Sequence, residues 1–156
     1  MKKYFVFLLA MIALVGCETT TIIGNTQQVV NVSVAQNQWL YSNASSATPY
    51  ANNYFYAVVK VPEITADVFY RGEVQAYIVY NQNTQNAMQH LLPYSRHYEE
   101  QRTDGTWNYY TETIDCVFGI GWVEFDFSSS DFAYEDNLNI NPLGMDFRIV
   151  ITRPAN

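Results

Sequence analysis

The sequence predicts an all-β domain, an antiparallel β-sandwich or a related barrel, with one short helical turn. Three observations predict it. Several segments alternate apolar and polar residues at period two, as strands with one buried face do. Residues suited to pleated surfaces are abundant, with 13 Tyr, 9 Phe and 3 Trp in 156 residues. Turn signals recur at short intervals, and helical signals are confined to one short stretch.

The elements follow in order. "QQVVNVSV" (27–34) sets Val30, Val32 and Val34 on one face of a first strand. "QWLYS" either continues that strand or pairs with it. "NASSATPYANN" (43–53) is a polar loop of small residues. "YFYAVVKV" (54–61) is the next strand, with Phe55, Ala57, Val59 and Val61 inward. Thr65 N-caps a helix from Ala66 to Arg71 by accepting a backbone N–H at position 67 or 68. Ile64 and Phe69 stand at the positions of a hydrophobic staple. Asp67 and Arg71 complement the helix dipole, and Gly72 is expected to end the helix in the left-handed conformation.

"EVQAYIVY" (73–80) is a strand and "NQNTQN" (81–86) a turn-rich loop. "MQHLLPY" (88–94) predicts a further strand ending at Pro93. Residues 95–114 predict a hairpin, with Asp104 and Gly105 as a two-residue type I′ turn. "GWVEFDFS" (121–128) turns Val123, Phe125 and Phe127 one way and Glu124 and Asp126 the other. "MDFRIVI" (145–151) repeats the pattern with Met145, Phe147, Ile149 and Ile151 inward.

The chain begins with a processing signal. Lys2 and Lys3 precede an apolar run from Tyr4 to Val15, too short for a membrane-spanning helix. Leu14, Val15, Gly16 and Cys17 then form a lipobox, and the polar run "ETTTIIGNTQQ" follows at once. Residues 1–16 read as a lipoprotein signal peptide, 17–26 as a tether and 27–156 as a single β domain. Cys17 is the expected lipid-attachment residue. The several acyl chains of a bacterial lipoprotein hold a domain stably on a membrane. The tether reaches at most about 30 Å. The expected location is the cell envelope, and Glu18 after the cysteine favours the outer membrane without fixing the leaflet.

Cleavage removes two basic residues and leaves six against 15 acidic ones, a net charge of −9 over the remaining 140 residues. Such a surface argues against nucleic acid and against anionic headgroups as partners. Consumption of Cys17 leaves Cys116 without a disulfide partner. Its apolar surroundings predict a buried, inert thiol.

Three stretches bear a resemblance to known proteins: "VPEITADVFYRGEVQAYIVY", "LLPYSRHY" and the closing "MDFRIVI". Together they resemble a group of uncharacterised Bacteroidetes lipoproteins over roughly residues 58–152. The shared features are a strand, an Ile-Thr helical turn, a glycine, a second strand, a Leu-Pro-Tyr element and a closing aromatic-aliphatic strand. The resemblance implies a cell-envelope lipoprotein with a mostly β fold, and no activity.

Catalytic and metal signatures are absent from the sequence. There is no phosphate-binding glycine loop, GxSxG elbow, HExxH or zinc spacing. His90 and His97 lack a nucleophile motif beside them. Glu99 with Glu100, Glu124 with Asp126 and Glu135 with Asp136 are carboxylate pairs of the kind any solvated strand or loop carries. Asp136, Asn137, Asn139 and Asn141 alternate oxygen ligands, but Leu138 interrupts them and the calcium-loop glycine is missing. The expectation is therefore no enzyme, no cofactor and no metal.

The hairpin carries the best candidate site. A two-residue turn pairs Arg102 with Trp107, Glu100 with Tyr109, Tyr98 with Thr111 and His97 with Glu112. One face then gathers Tyr94, Tyr98, Trp107 and Tyr109, interleaved with Arg96, Arg102 and Glu100. Rings flanked by hydrogen-bonding groups suit a sugar or a protein partner. Cross-strand packing is the simpler use of the same rings. The functional expectation is an envelope interaction or assembly module, with a glycan-binding module of a polysaccharide uptake system as the alternative.

Overall fold

The computed structural model describes residues 26–42, 54–130 and 142–154. Cys17 with its signal and tether residues 18–25, the 43–53 loop and the oxygen-rich stretch with Glu135, Asp136, Asn137, Asn139 and Asn141 lie outside the described residues, whereas Thr26, expected to end the tether, opens the first strand. The elements are β1 (Thr26–Val34), a 3-10 turn (Gln36–Gln38), β2 (Leu40–Ser42), β3 (Tyr54–Lys60), α1 (Ala66–Arg71), β4 (Glu73–Tyr80), β5 (Met88–Leu91), β6 (Tyr94–Gln101), β7 (Trp107–Gly119), β8 (Trp122–Ser129) and β9 (Met145–Arg153). They form two open antiparallel sheets, ordered β1-β9-β4-β5 and β2-β3-β8-β7-β6. The architecture is an all-β sandwich, and neither sheet closes into a barrel.

The period-two patterns dictate the core. Phe147, Ile149 and Ile151 of β9 face Val123, Phe125 and Phe127 of β8 in one buried cluster. Phe125 and Phe147 come from different sheets and stack with ring centroids 3.8 Å apart. Phe55 and Ala57 of β3 and Ala76 and Ile78 of β4 extend the same apolar layer.

The helix starts as its sequence predicts. Thr65 is extended, and its Oγ1 accepts from the Val68 N–H at 3.3 Å. Arg71 Nε donates to Asp67 Oδ1 at 2.6 Å, one turn back. Gly72 departs from expectation, with φ −94°, in extended backbone rather than the left-handed region. Its need for glycine is one of space. A Cβ there would lie 2.5 Å from the Thr152 carbonyl and 2.9 Å from that of Val68. Phe69 also departs from the staple: Ile64 is fully buried, but Phe69 is 39% exposed and turns its ring to Tyr70 and Phe118.

Two strand assignments change. After the 3-10 turn, Leu40–Ser42 pairs with β3 and not with the first strand. The turn moves the chain from one sheet to the other while Trp39 stays buried, its Nε1 donating to the Leu143 carbonyl at 3.3 Å. The 88–94 segment is likewise two elements. β5 ends at Leu91, and Tyr94 opens β6 in the opposite sheet, so Leu92 and Pro93 form the crossing.

Candidate functional site

The β6–β7 hairpin holds the four aromatic residues singled out above, and its turn decides where they point. Arg102 N–H donates to the Thr106 carbonyl at 2.8 Å, and Gly105 N–H to the Arg102 carbonyl at 2.9 Å. Gly105 has φ +84°, whereas Asp104 is not among the residues with positive φ. A type I′ turn requires positive φ at both central residues. The loop is therefore a three-residue turn over Thr103, Asp104 and Gly105 with a glycine bulge. Asp104 Oδ1 explains the choice. It accepts from Thr106 N–H at 2.9 Å and from Thr106 Oγ1 at 2.6 Å, so that N–H is not free to pair with Thr103. The same bonds hold the Asp104 carboxyl below its usual pKa.

One extra loop residue shifts the register by one. Gln101 pairs with Trp107, Glu99 with Tyr109, Tyr98 with Tyr110, His97 with Thr111 and Arg96 with Glu112. A shift of one turns one arm's side chains over relative to the other. Tyr94 and Tyr98 therefore share the inner face, while Trp107 and Tyr109 stand on the outer one. The proposed four-residue aromatic face is divided, and His97 lies on the opposite face from Glu112. His97 Nδ1 instead lies 2.7 Å from Thr111 Oγ1. On the inner face Arg96 Cζ lies 5.2 Å from the Tyr98 ring centroid.

The inner face opens onto a groove of about 390 Å³ between the sheets. Ile78, Ile114, Phe127 and Met145 form its apolar walls, and Tyr80, Tyr98 and Glu112 bring polar atoms. His90 stacks on Tyr94 at 4.3 Å, and Tyr98 on Tyr110 at 5.2 Å. Burial raises the Tyr80 hydroxyl pKa, with the charges of Tyr94 and Tyr98 adding to it. Burial and then Glu112 raise that of Tyr98. Both hydroxyls stay protonated at neutral pH. The sequence does not reveal Tyr80 because it reaches this groove from β4, distant in the chain, nor Tyr110 because only the shifted hairpin register sets it opposite Tyr98.

The outer face of the five-stranded sheet is a second candidate. Its cross-strand rows are Leu40–Tyr56–Asp126–Asp115 and Val58–Glu124–Val117, with Lys60 beside Trp122 at one end. Leu40 and Val58 are each 56% exposed and Val117 51%. Trp107 and Tyr109 extend the same face toward the hairpin tip. Glu124 and Asp126 do share a strand face, as their spacing predicts. What the sequence hid is Asp115, directly across from Asp126.

Asp126 Oδ1 is buried and has no hydrogen-bond partner. Desolvation, then Glu124 and Asp115, push its pKa to about 6. An unfolded aspartate titrates near about 3.9. The native state therefore binds the proton more tightly, and this contribution to stability is complete below the unfolded value and lost as pH rises through about 6. A shift of this size corresponds to about 3 kcal/mol for a fully buried group. Asp126 is half-buried, so solvent screening reduces the expected effect to about 1 kcal/mol. Asp126→Asn should stabilise the protein by about 1 kcal/mol at pH 8 and by less at pH 5, read from urea unfolding at both pH values. A uniform loss of stability at both would contradict this reading.

Cys116 lies on the inner face opposite Phe125, half-buried and free. Burial, reinforced by Asp115 and Asp126, pushes its thiol to about 11. In a chain carrying Cys17→Ala, disulfide reagents at neutral pH should label folded Cys116 about 100-fold more slowly than the denatured chain. Equal rates would mean an accessible thiolate.

Among the described residues, no group of three or more His, Cys, Asp or Glu is placed to hold a metal ion. No protein family, curated protein or solved structure matches the chain in sequence or fold.

Proposed function

We propose that the chain is a non-enzymatic interaction module of the cell envelope, tethered to the outer membrane by lipid on Cys17, that docks a protein partner on the outer face of its five-stranded sheet. The observation that carries this reading is the exposed set Leu40, Val58 and Val117 on one sheet face. A patch of grouped large apolar side chains suits a protein contact. Asp115, Glu124 and Asp126 lie among them and call for a partner surface with Arg or Lys at its centre.

The inter-sheet groove supports the second reading, a glycan-binding module. It is concave and combines aromatic rings with the Tyr80 and Tyr98 hydroxyls and Glu112. The division of the hairpin aromatics weakens it, since Trp107 and Tyr109 cannot join Tyr98 in one platform.

One set of variants separates the readings. Val117→Glu should abolish recovery of a specific envelope protein and leave binding to soluble oligosaccharides unchanged. Tyr98→Ala should do the reverse only if the groove is the functional site. Cys17→Ala should leave the signal peptide uncleaved and remove the lipid from the intact mass. An intact mass that shows the same lipid and the same N-terminus after that change would contradict the anchor.

A further inference from the structure

We infer that β1 is a pairing edge, and that it joins a second copy of this chain to make one continuous sheet across a two-fold axis. Four strands lie at sheet edges: β1 and β5 in one sheet, β2 and β6 in the other. An edge strand exposes a row of backbone N–H and C=O groups, and proteins blunt such edges with short strands or charged side chains. Three of the four edges follow that rule. β2 has three residues and β5 has four. β6 is longer, but Arg96, His97, Glu99 and Glu100 stud it with polar and charged groups.

Among the described residues, β1 alone lacks such protection. It runs for nine residues, "TQQVVNVSV", with no charge, proline or glycine. One side pairs with β9 over its whole length, and among the described residues no strand pairs with the other. Its polar side chains do not cover that side. Gln28 Oε1 accepts from Arg153 Nη2 at 2.9 Å, Asn31 Oδ1 from Arg148 Nε at 3.4 Å, and Ser33 Oγ donates to Asp146 Oδ1 at 2.5 Å, all toward β9.

The occupant follows from charge and from self-complementarity. The chain carries a net charge of −7, so most pairs of surfaces from two copies repel. The β1 edge brings no acidic residue to the contact. An antiparallel two-fold at Val30 sets it opposite the partner's Val30. Gln28 then meets the partner's Val32, and Val29 the partner's Asn31. Even-numbered residues meet even-numbered ones, so both inner faces stay inward. Val30 and Val32 are only half-buried in one copy, and a second strand beside them completes their cover.

The test uses residues 17–156, the chain that cleavage leaves, with Cys17→Ala, so that neither signal, lipid nor detergent contributes to assembly. Analytical ultracentrifugation should give a dimer, and deuterium uptake in the 26–34 peptide should fall as protein concentration rises. Val29 is 53% exposed, so Val29→Lys tests the edge with little effect on the core. It should weaken dimerisation by about tenfold or more through like charges near the axis. A monomer at every concentration overturns the inference, whether β1 amides exchange freely or are covered by the chain's own residues. A dimer that Val29→Lys leaves intact also overturns it. Should the variant fail to fold, the concentration dependence of exchange in the unsubstituted β1 decides alone.

Discussion

Phe147→Ala is expected to destabilise the domain by about 3–5 kcal/mol. The ring is fully buried at the middle of β9, the strand that joins β1 to β4. Its neighbours across the two ladders are Val32 and Ile78. Its stacking on Phe125 ties one sheet to the other. Truncation removes that contact and leaves a cavity that rigid strands on both sides prevent from closing. The urea midpoint should fall sharply with the m-value unchanged. Phe147→Leu keeps most of the volume and should cost about 1–2 kcal/mol. A loss below about 1 kcal/mol for the alanine variant would mean that the sheets do not meet at this ring.

Gly72→Ala is expected to cost about 2–3 kcal/mol. Gly-to-Ala changes in ordinary backbone stabilise by about 0.4–1 kcal/mol, because alanine has less freedom to lose on folding. The sign reverses here for steric reasons alone, since φ is −94° and any residue can adopt it. The new methyl would press on the Thr152 and Val68 carbonyls and the Val68 Cα, all backbone. Relief requires α1 to move away from β9. Gly105→Ala is the comparison. A Cβ there meets nothing, but φ is +84°, so the cost should be about 1 kcal/mol. Thermal or urea unfolding of the pair should rank Gly72 well above Gly105. The reverse order would place the strain in the turn.

Much of the fold was legible because local pattern and tertiary role agree. Val30, Val32 and Val34, then Phe125 and Phe127, then Phe147 and Ile149 all face the core as their spacing predicts. The helix announced itself through Thr65, Asp67 and Arg71, each acting within one turn. What failed depends on choices that the local sequence leaves balanced. Asp-Gly suits either a two-residue turn or a longer one with a glycine bulge, and the bond from Thr106 to the Asp104 carboxylate tips it to the longer. That single residue moved Trp107 and Tyr109 to the face opposite Tyr98. Gly72 follows a helix and so predicts a conformational role, whereas its need for glycine is set by Thr152, 80 positions away in sequence. The Asp115–Asp126 pairing is equally non-local, since only the register of β7 against β8 makes it.

We propose that the outer face of the five-stranded sheet meets a protein partner. Site-specific photo-crosslinking on the intact envelope tests it most directly, with a photoreactive residue at position 117 on that face or at position 150 on the outer face of the other sheet. The account predicts adducts to one protein from position 117, at peptides rich in Arg or Lys, and none from position 150. Adducts from position 150 with none from 117, or adducts from 117 to glycan or lipid alone, would contradict it.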